Sequence, residues 1–385
     1  MQISESHRFS ALLAGVERLQ MLTLCLALAA APLLYGSYYE PWRMPLLILS
    51  WIAIGLGAFQ PSQIRRIPWY LLVPISLLAL QALWMWWNAW GVFSGADDPV
   101  SANTPWKLDL REACPFPAAP GSPDQAETLD RIGYILPALF LIPTTLLLVR
   151  RNPRRIATLL GTIFTCGSVV AILGLSQQWT GALGIFWIEP PAHVFKGQFF
   201  GTFRNPGIAS SYLNIALLCG LCLPFPHNKR GTSARGGLAK KIGIIVGCCL
   251  IVAAVAASGS KSGIAFTLLF LIFWATLNSR SIASAYQKSA RFFPNGSPIE
   301  RNIVAGVLGL IAAILLVVFS GHSIQRWQDA DASGFSTLST RLTLAEIQGK
   351  MISEPEWGAL GLGPGSLYPL FPYYSIDVFS DTTGI

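Results

Sequence analysis

The chain has 385 residues, 52% hydrophobic and only 12% charged, with a mean hydropathy of +0.51. A soluble globular domain carries roughly 25% charged residues, so that class is excluded. The net charge of +8 does not by itself indicate nucleic acid, because in so apolar a chain the first question is on which side of a membrane the charges lie.

Apolar blocks of about 16 to 25 residues recur along the chain, each long enough to cross a hydrocarbon layer of about 30 Å. They predict an all-α, polytopic helical membrane protein with about nine spans. Residues 1–18 come first as an interfacial helix, with Phe9, Leu12, Leu13 and Val16 on one face. A cleaved signal peptide ending at Ala29-Ala30-Ala31 is the rival reading, disfavoured because no soluble domain follows. The transmembrane domain is expected over 19–319, with spans near 19–35, 41–59, 67–93, 132–149, 156–175, 206–225, 242–257, 261–277 and 303–319. Trp84, Trp86, Trp87 and Trp90 close the third span and read as an interfacial belt in preference to a sugar-stacking platform. As one helix, the stretch 242–277 would reach about 54 Å, so it must turn back. Its break, Ser258-Gly259-Ser260-Lys261-Ser262-Gly263, predicts a tight hairpin with Lys261 at the tip.

With the connections alternating between two sides, the N-terminal side holds 17 Lys and Arg against 3 acids, and the other side 10 against 16. The resulting +14 and −6 place the N-terminus in the cytoplasm and residues 320–385 outside, as the start of a large periplasmic loop. The long connections, 94–131, 176–205 and 320–385, all fall on the outer side, so function is expected there. The short basic inner connections need only topology and anionic lipid to explain them.

Six of the seven cysteines lie in spans, and no disulfide framework is implied. Cys219 and Cys222 have a metal-like spacing but sit in an apolar helix without a second ligand pair; packing is the better reading. Asn295-Gly296-Ser297 matches a glycosylation acceptor on the wrong side of the membrane. Glu189, His193 and His322 are the outer acid/base candidates, and their spacing indicates no catalytic pair.

Basic residues are the exception on the acidic outer side, and three of them coincide with helix beginnings. Arg204-Asn205-Pro206 precedes the sixth span, with Asn205 suited to the N-cap and Pro206 to the first helical position. Lys261 begins the eighth span. Arg341 opens an expected amphipathic helix, 340–353, with Leu342, Ala345 and Ile352 on one face. A cation is locally unfavourable at a helix N-terminus, where about half a positive charge already resides. An anion reverses that sign, and free N–H groups with a guanidinium or ammonium suit phosphate. An outward-facing anion site is therefore expected, against the plainer reading of side chains that snorkel to lipid headgroups. Gly361-Leu362-Gly363-Pro364-Gly365 is a tight turn and lacks the features of a nucleotide-binding loop.

Three segments together resemble the superfamily of O-antigen ligases and O-antigen polymerases, bacterial membrane glycosyltransferases. Phe200-Gly201-Thr202-Phe203-Arg204-Asn205-Pro206, running into Ser210, Ser211, Tyr212, Leu213 and Asn214, is similar to the family's Gly-Thr-Phe-x-Asn-Pro opening. Ser258-Gly259-Ser260-Lys261-Ser262-Gly263 resembles its Ser-x-Ser-Arg-x-Gly hairpin, and Arg341 with Gly361-Leu362-Gly363-Pro364-Gly365 resembles its periplasmic loop. The likeness covers about residues 195–375.

The resemblance implies transfer of a glycan from an undecaprenyl diphosphate carrier to an acceptor glycan or glycolipid at the periplasmic face of the inner membrane. It implies no cofactor, no metal and no nucleic acid, with membrane lipids as the surroundings. Arg204, Lys261 and Arg341 would hold the diphosphate and stabilise the charge that develops as it leaves. Two departures stand out. Lys261 replaces the usual Arg, giving a point charge in place of a two-pronged donor. No His follows Gly365, where the family's catalytic His is expected. The expectation is that the chain is truncated from about twelve spans, with that His beyond Ile385, and is inactive by itself, or else that it is a degenerate member of the family. A lipid-linked oligosaccharide flippase is the alternative; it is disfavoured because the mid-span regions are nearly free of charge and show no repeat.

Overall fold

The computed structural model describes residues 2–34, 36, 40–59, 68–89, 115–116, 119–122, 124–152, 154–188, 199–223, 234–292, 337–353 and 364. Among them the chain is helical apart from turns and one isolated bridge. The helices are α1 (Gln2–Leu33), α2 (Glu40–Ala58), α3 (Trp69–Trp87), α4 (Gln125–Arg151), α5 (Arg154–Trp179), α6 (Pro206–Cys222), α7 (Ala234–Ala257), α8 (Lys261–Phe292) and α9 (Thr337–Ser353), with a 3-10 turn at Ile185–Trp187.

Among the described residues, four helical stretches are long and apolar enough to cross a membrane: Leu12–Leu33, Trp69–Trp87, Gln125–Arg150 and Arg154–Trp179. Four shorter ones, Arg43–Ala58, Pro206–Cys222, Ile242–Ala257 and Lys261–Trp274, are also apolar. α8 turns Leu268, Leu269, Ile272 and Phe273 outward, each more than half exposed. Such a surface suits lipid and not water. The expected block at 303–319 lies outside the described residues.

Several boundaries differ from the sequence expectation. α1 runs unbroken from Gln2 to Leu33, because no glycine or proline interrupts residues 15 to 31 except Gly15, which a helix tolerates. α4 starts seven residues before the apolar block, at Gln125. Its polar first turns are built from local pairs: the Glu127 N–H donates to Asp124 Oδ1 at 2.9 Å, and Arg131 pairs with Glu127 at 2.5 Å. α7 and α8 continue past their apolar cores into basic stretches, since helix-forming residues persist there.

The chain divides into two compact units. Unit 1 comprises Met1–Gln20, Ser50–Arg150 and Ala330–Ile385. Here the fully buried Asn88 caps α3 and holds the following segment: its amide donates to the carbonyls of Phe116, Ala119 and Pro120, and its Oδ1 accepts from the Phe116 N–H. Trp84 and Trp87 stack on Phe116, and the Trp84 indole donates to the Pro120 carbonyl at 3.0 Å. Two of the four expected belt tryptophans therefore clamp a loop.

Unit 2 comprises Met21–Leu49 and Arg151–Asp329. Helices α5 to α8 pack around a core that includes Val170, Ala171, Leu213, Ala216, Leu217, Ile251 and Ala254. Close approach depends on glycine. A Cβ at Gly167 would lie 2.2 Å from the Ala216 Cβ, and one at Gly220 would lie 2.4 Å from the Phe164 ring. Phe164 also meets Gly247 and Gly167 also meets Ile251, so α5 and α7 run parallel while α6 runs against them.

Candidate anion site

The Arg204 region is built by a two-residue turn. Phe200 and Phe203 exchange backbone hydrogen bonds of 2.9 and 3.0 Å, and Gly201 at φ +60° supplies the left-handed corner. A side chain there would meet Val170, and one at Gly174 would strike the Phe200 ring at 2.3 Å. Phe200, Thr202 and Phe203 are buried, and the Thr202 hydroxyl donates to the Pro32 carbonyl. A turn seated this firmly fixes where the next residue, the half-buried Arg204, emerges. Asn205 then caps α6, accepting from the Gly207 N–H at 2.7 Å, with Pro206 in the first helical position. Both assignments were legible in the sequence.

Lys261 is the first residue of α8 and is exposed. The preceding hairpin is tight, as its composition predicts: Gly259 takes φ +71°, and Ser260 Oγ accepts from the Gly263 N–H at 3.2 Å as an N-cap.

The two helices are parallel neighbours. The Thr267 hydroxyl donates to Asn214 Oδ1 at 2.6 Å, the Asn214 amide donates to the Gly263 carbonyl at 2.9 Å, and the Trp274 indole donates to the Leu221 carbonyl at 3.3 Å. Ser210 lies against Gly263. Residues 214 and 267, like 221 and 274, are offset by 53. That register sets Lys261 level with Ile208, so α8 begins about 3 Å deeper than α6. Two positive helix ends and two cations thus share one end of unit 2. The C-termini of α5 and α7 close the same end and offset part of this potential.

Arg341 belongs to α9 in unit 1, and its helix begins at Thr337, so the residue stands one turn inside the helix and not at its start. The dipole argument, which fades within the first turn, therefore applies to Arg204 and Lys261 more than to Arg341. The expected apolar face of α9 is also corrected. Ile347 and Met351, four residues apart, are buried, while Leu342 and Ile352 are 62% and 71% exposed. Of the glycine motif 361–365 only Pro364 is described; its carbonyl accepts from the buried Thr128 hydroxyl at 2.9 Å. Glu189, His193 and His322 lie outside the described residues. Cys219 is buried, Cys222 is exposed, and neither is in a disulfide.

The sequence reading passed over two adjacent groups. Gln178 at the end of α5 donates from Nε2 to the carbonyl of Ala257, the residue that leads into the Lys261 hairpin. Gln177 beside it is 2% exposed, and neither polar atom of its amide has a hydrogen-bond partner. A pair of glutamines closing an apolar span was the available signal. Comparison with protein-family models, curated proteins and solved structures finds no match to this chain.

Proposed function

We propose that this chain is an O-antigen ligase-like or polymerase-like membrane glycosyltransferase. It transfers a glycan from an undecaprenyl diphosphate carrier to an acceptor glycan or glycolipid at the periplasmic face of the bacterial inner membrane. The observation that supports the reading best is the parallel pairing of α6 and α8, which sets Arg204 and Lys261 at two neighbouring helix N-termini. A diphosphate placed there would be attracted by both helix ends and by both cations. The split of +14 against −6 supports about nine spans with this end outward.

In the proposed reaction the acceptor hydroxyl oxygen bonds to the anomeric carbon as the bond from that carbon to the diphosphate oxygen breaks. The electron pair leaves with the diphosphate, and the hydroxyl proton passes to a base, for which the family resemblance calls on a histidine. Arg204 and Lys261, both in unit 2, stabilise the charge arriving on the leaving group. Arg204 can grip two oxygens at once, whereas Lys261 acts as a point charge.

The reading is tested by reconstituting the protein in liposomes with a labelled glycan on undecaprenyl diphosphate. Free undecaprenyl diphosphate and labelled acceptor should form one for one, with EDTA present. Movement of the intact carrier across the bilayer, without cleavage, would indicate transport instead.

A further inference from the structure

The unpaired glutamine at the end of α5 has no role in anchoring an anion. Gln177 stands on the α5 face that carries Val170 and Gly174, the residues packed on Gly201 and Phe200, three and four residues before Arg204. Its neighbour Gln178 is tied to Ala257, four residues before Lys261. The two amides thus sit between the segments that present the two cations, all within unit 2. Gln177 offers an unused donor and an unused acceptor, and Gln178 Oε1 is a second buried acceptor without a partner. Exchanging the oxygen and nitrogen of Gln177 changes nothing, since both are unpaired. A buried, unsatisfied amide is unfavourable in any fold.

A second irregularity lies alongside. The segment after α5 holds two non-glycine residues at positive φ, Phe186 at 54° and Trp187 at 61°. It folds back on α5 through the Ala182 N–H, which donates to the Gln177 carbonyl at 2.9 Å, and through the Trp187 indole, which donates to the Thr180 hydroxyl at 2.7 Å. Strained backbone therefore follows within ten residues of the unpaired buried amide, and such strain is often found near ligand sites.

We propose that Gln177 and Gln178 form a subsite for a neutral, hydroxyl-bearing group next to the anion site. On the functional reading above, on which this inference rests, that group is the sugar attached to the diphosphate. The chemistry selects a hydroxyl over a second phosphate: two idle acceptors and one idle donor match groups that both give and take protons, whereas phosphate oxygens only accept. Arg204 and Lys261 then hold the charged leaving group while the glutamines recognise the sugar to be moved.

The test uses this chain in lipid nanodiscs with two probes, undecaprenyl diphosphate and the same carrier bearing one hexose. Wild type should bind the glycosylated carrier more tightly than the bare one, by about tenfold. Gln177→Met, of similar length but apolar, should abolish that preference, keep the bare-carrier affinity, and leave the ligand-free thermal midpoint unchanged or higher, because an unpaired amide has been removed. A lowered ligand-free midpoint would show that a buried water satisfies Gln177 for purely structural reasons and would overturn the subsite. An undiminished preference in the variant, or no preference in wild type, overturns the subsite alone and leaves the anion site standing. Failure of wild type to bind either carrier overturns the functional reading and the subsite with it.

Discussion

Asn214 and Thr267 are joined by a 2.6 Å hydrogen bond between the middles of two apolar helices, and both side chains are buried. Asn214 also donates to the Gly263 carbonyl, which accepts from Thr267 as well. A polar group in such surroundings can be satisfied only by the partner helix, so this small network admits one register between α6 and α8. The register is what brings the helix starts beside Arg204 and Lys261 to within about 3 Å of one level.

Asn214→Leu should therefore act at a distance. The loss of its bonds lowers stability by about 1–2 kcal/mol, read as a drop in thermal midpoint in detergent, and weakens carrier binding although Asn214 lies two turns below the helix start. Unchanged binding with lowered stability would separate the network from the site.

Glycine substitutions in unit 2 should differ by position. Gly174→Ala places a methyl 2.3 Å from the Phe200 ring and should destabilise by about 1–3 kcal/mol, dislodging the turn that presents Arg204. Gly243→Ala meets nothing within 4 Å and should be neutral or stabilise by up to about 1 kcal/mol. Equal effects in thermal unfolding would mean that the turn is not seated on α5 as described.

Asn88 makes three donor contacts and one acceptor contact from a fully buried position. Asn88→Ala should cost about 2–4 kcal/mol in unit 1 and should speed proteolysis of the segment around Phe116. The exposed cap Asn152, whose side chain accepts from the Arg154 N–H at 3.0 Å, provides the contrast, with Asn152→Ala costing about 1 kcal/mol or less.

The sequence made much of this visible because hydrophobicity and caps are local signals. The apolar blocks mark the helices, Asn205-Pro206 marks the start of α6, and Ser258 to Lys261 marks the hairpin and the start of α8. The register between α6 and α8 was hidden, since it depends on which polar residue of one helix meets which of another. Gln177 was hidden for the same reason: a glutamine at the end of a span looks solvated until its neighbours are known. On α9 both faces carry apolar residues, so periodicity alone selected Leu342 and Ile352, whereas packing buries Ile347 and Met351.

The central claim is that cations at neighbouring helix starts hold a diphosphate. It is tested most directly by Arg204→Ala and Lys261→Ala, each in the correctly inserted protein, with glycan transfer from undecaprenyl diphosphate as the readout. The account predicts that each variant lowers transfer by about a hundredfold or more while insertion is unchanged. Transfer at the wild-type rate by both variants would contradict it.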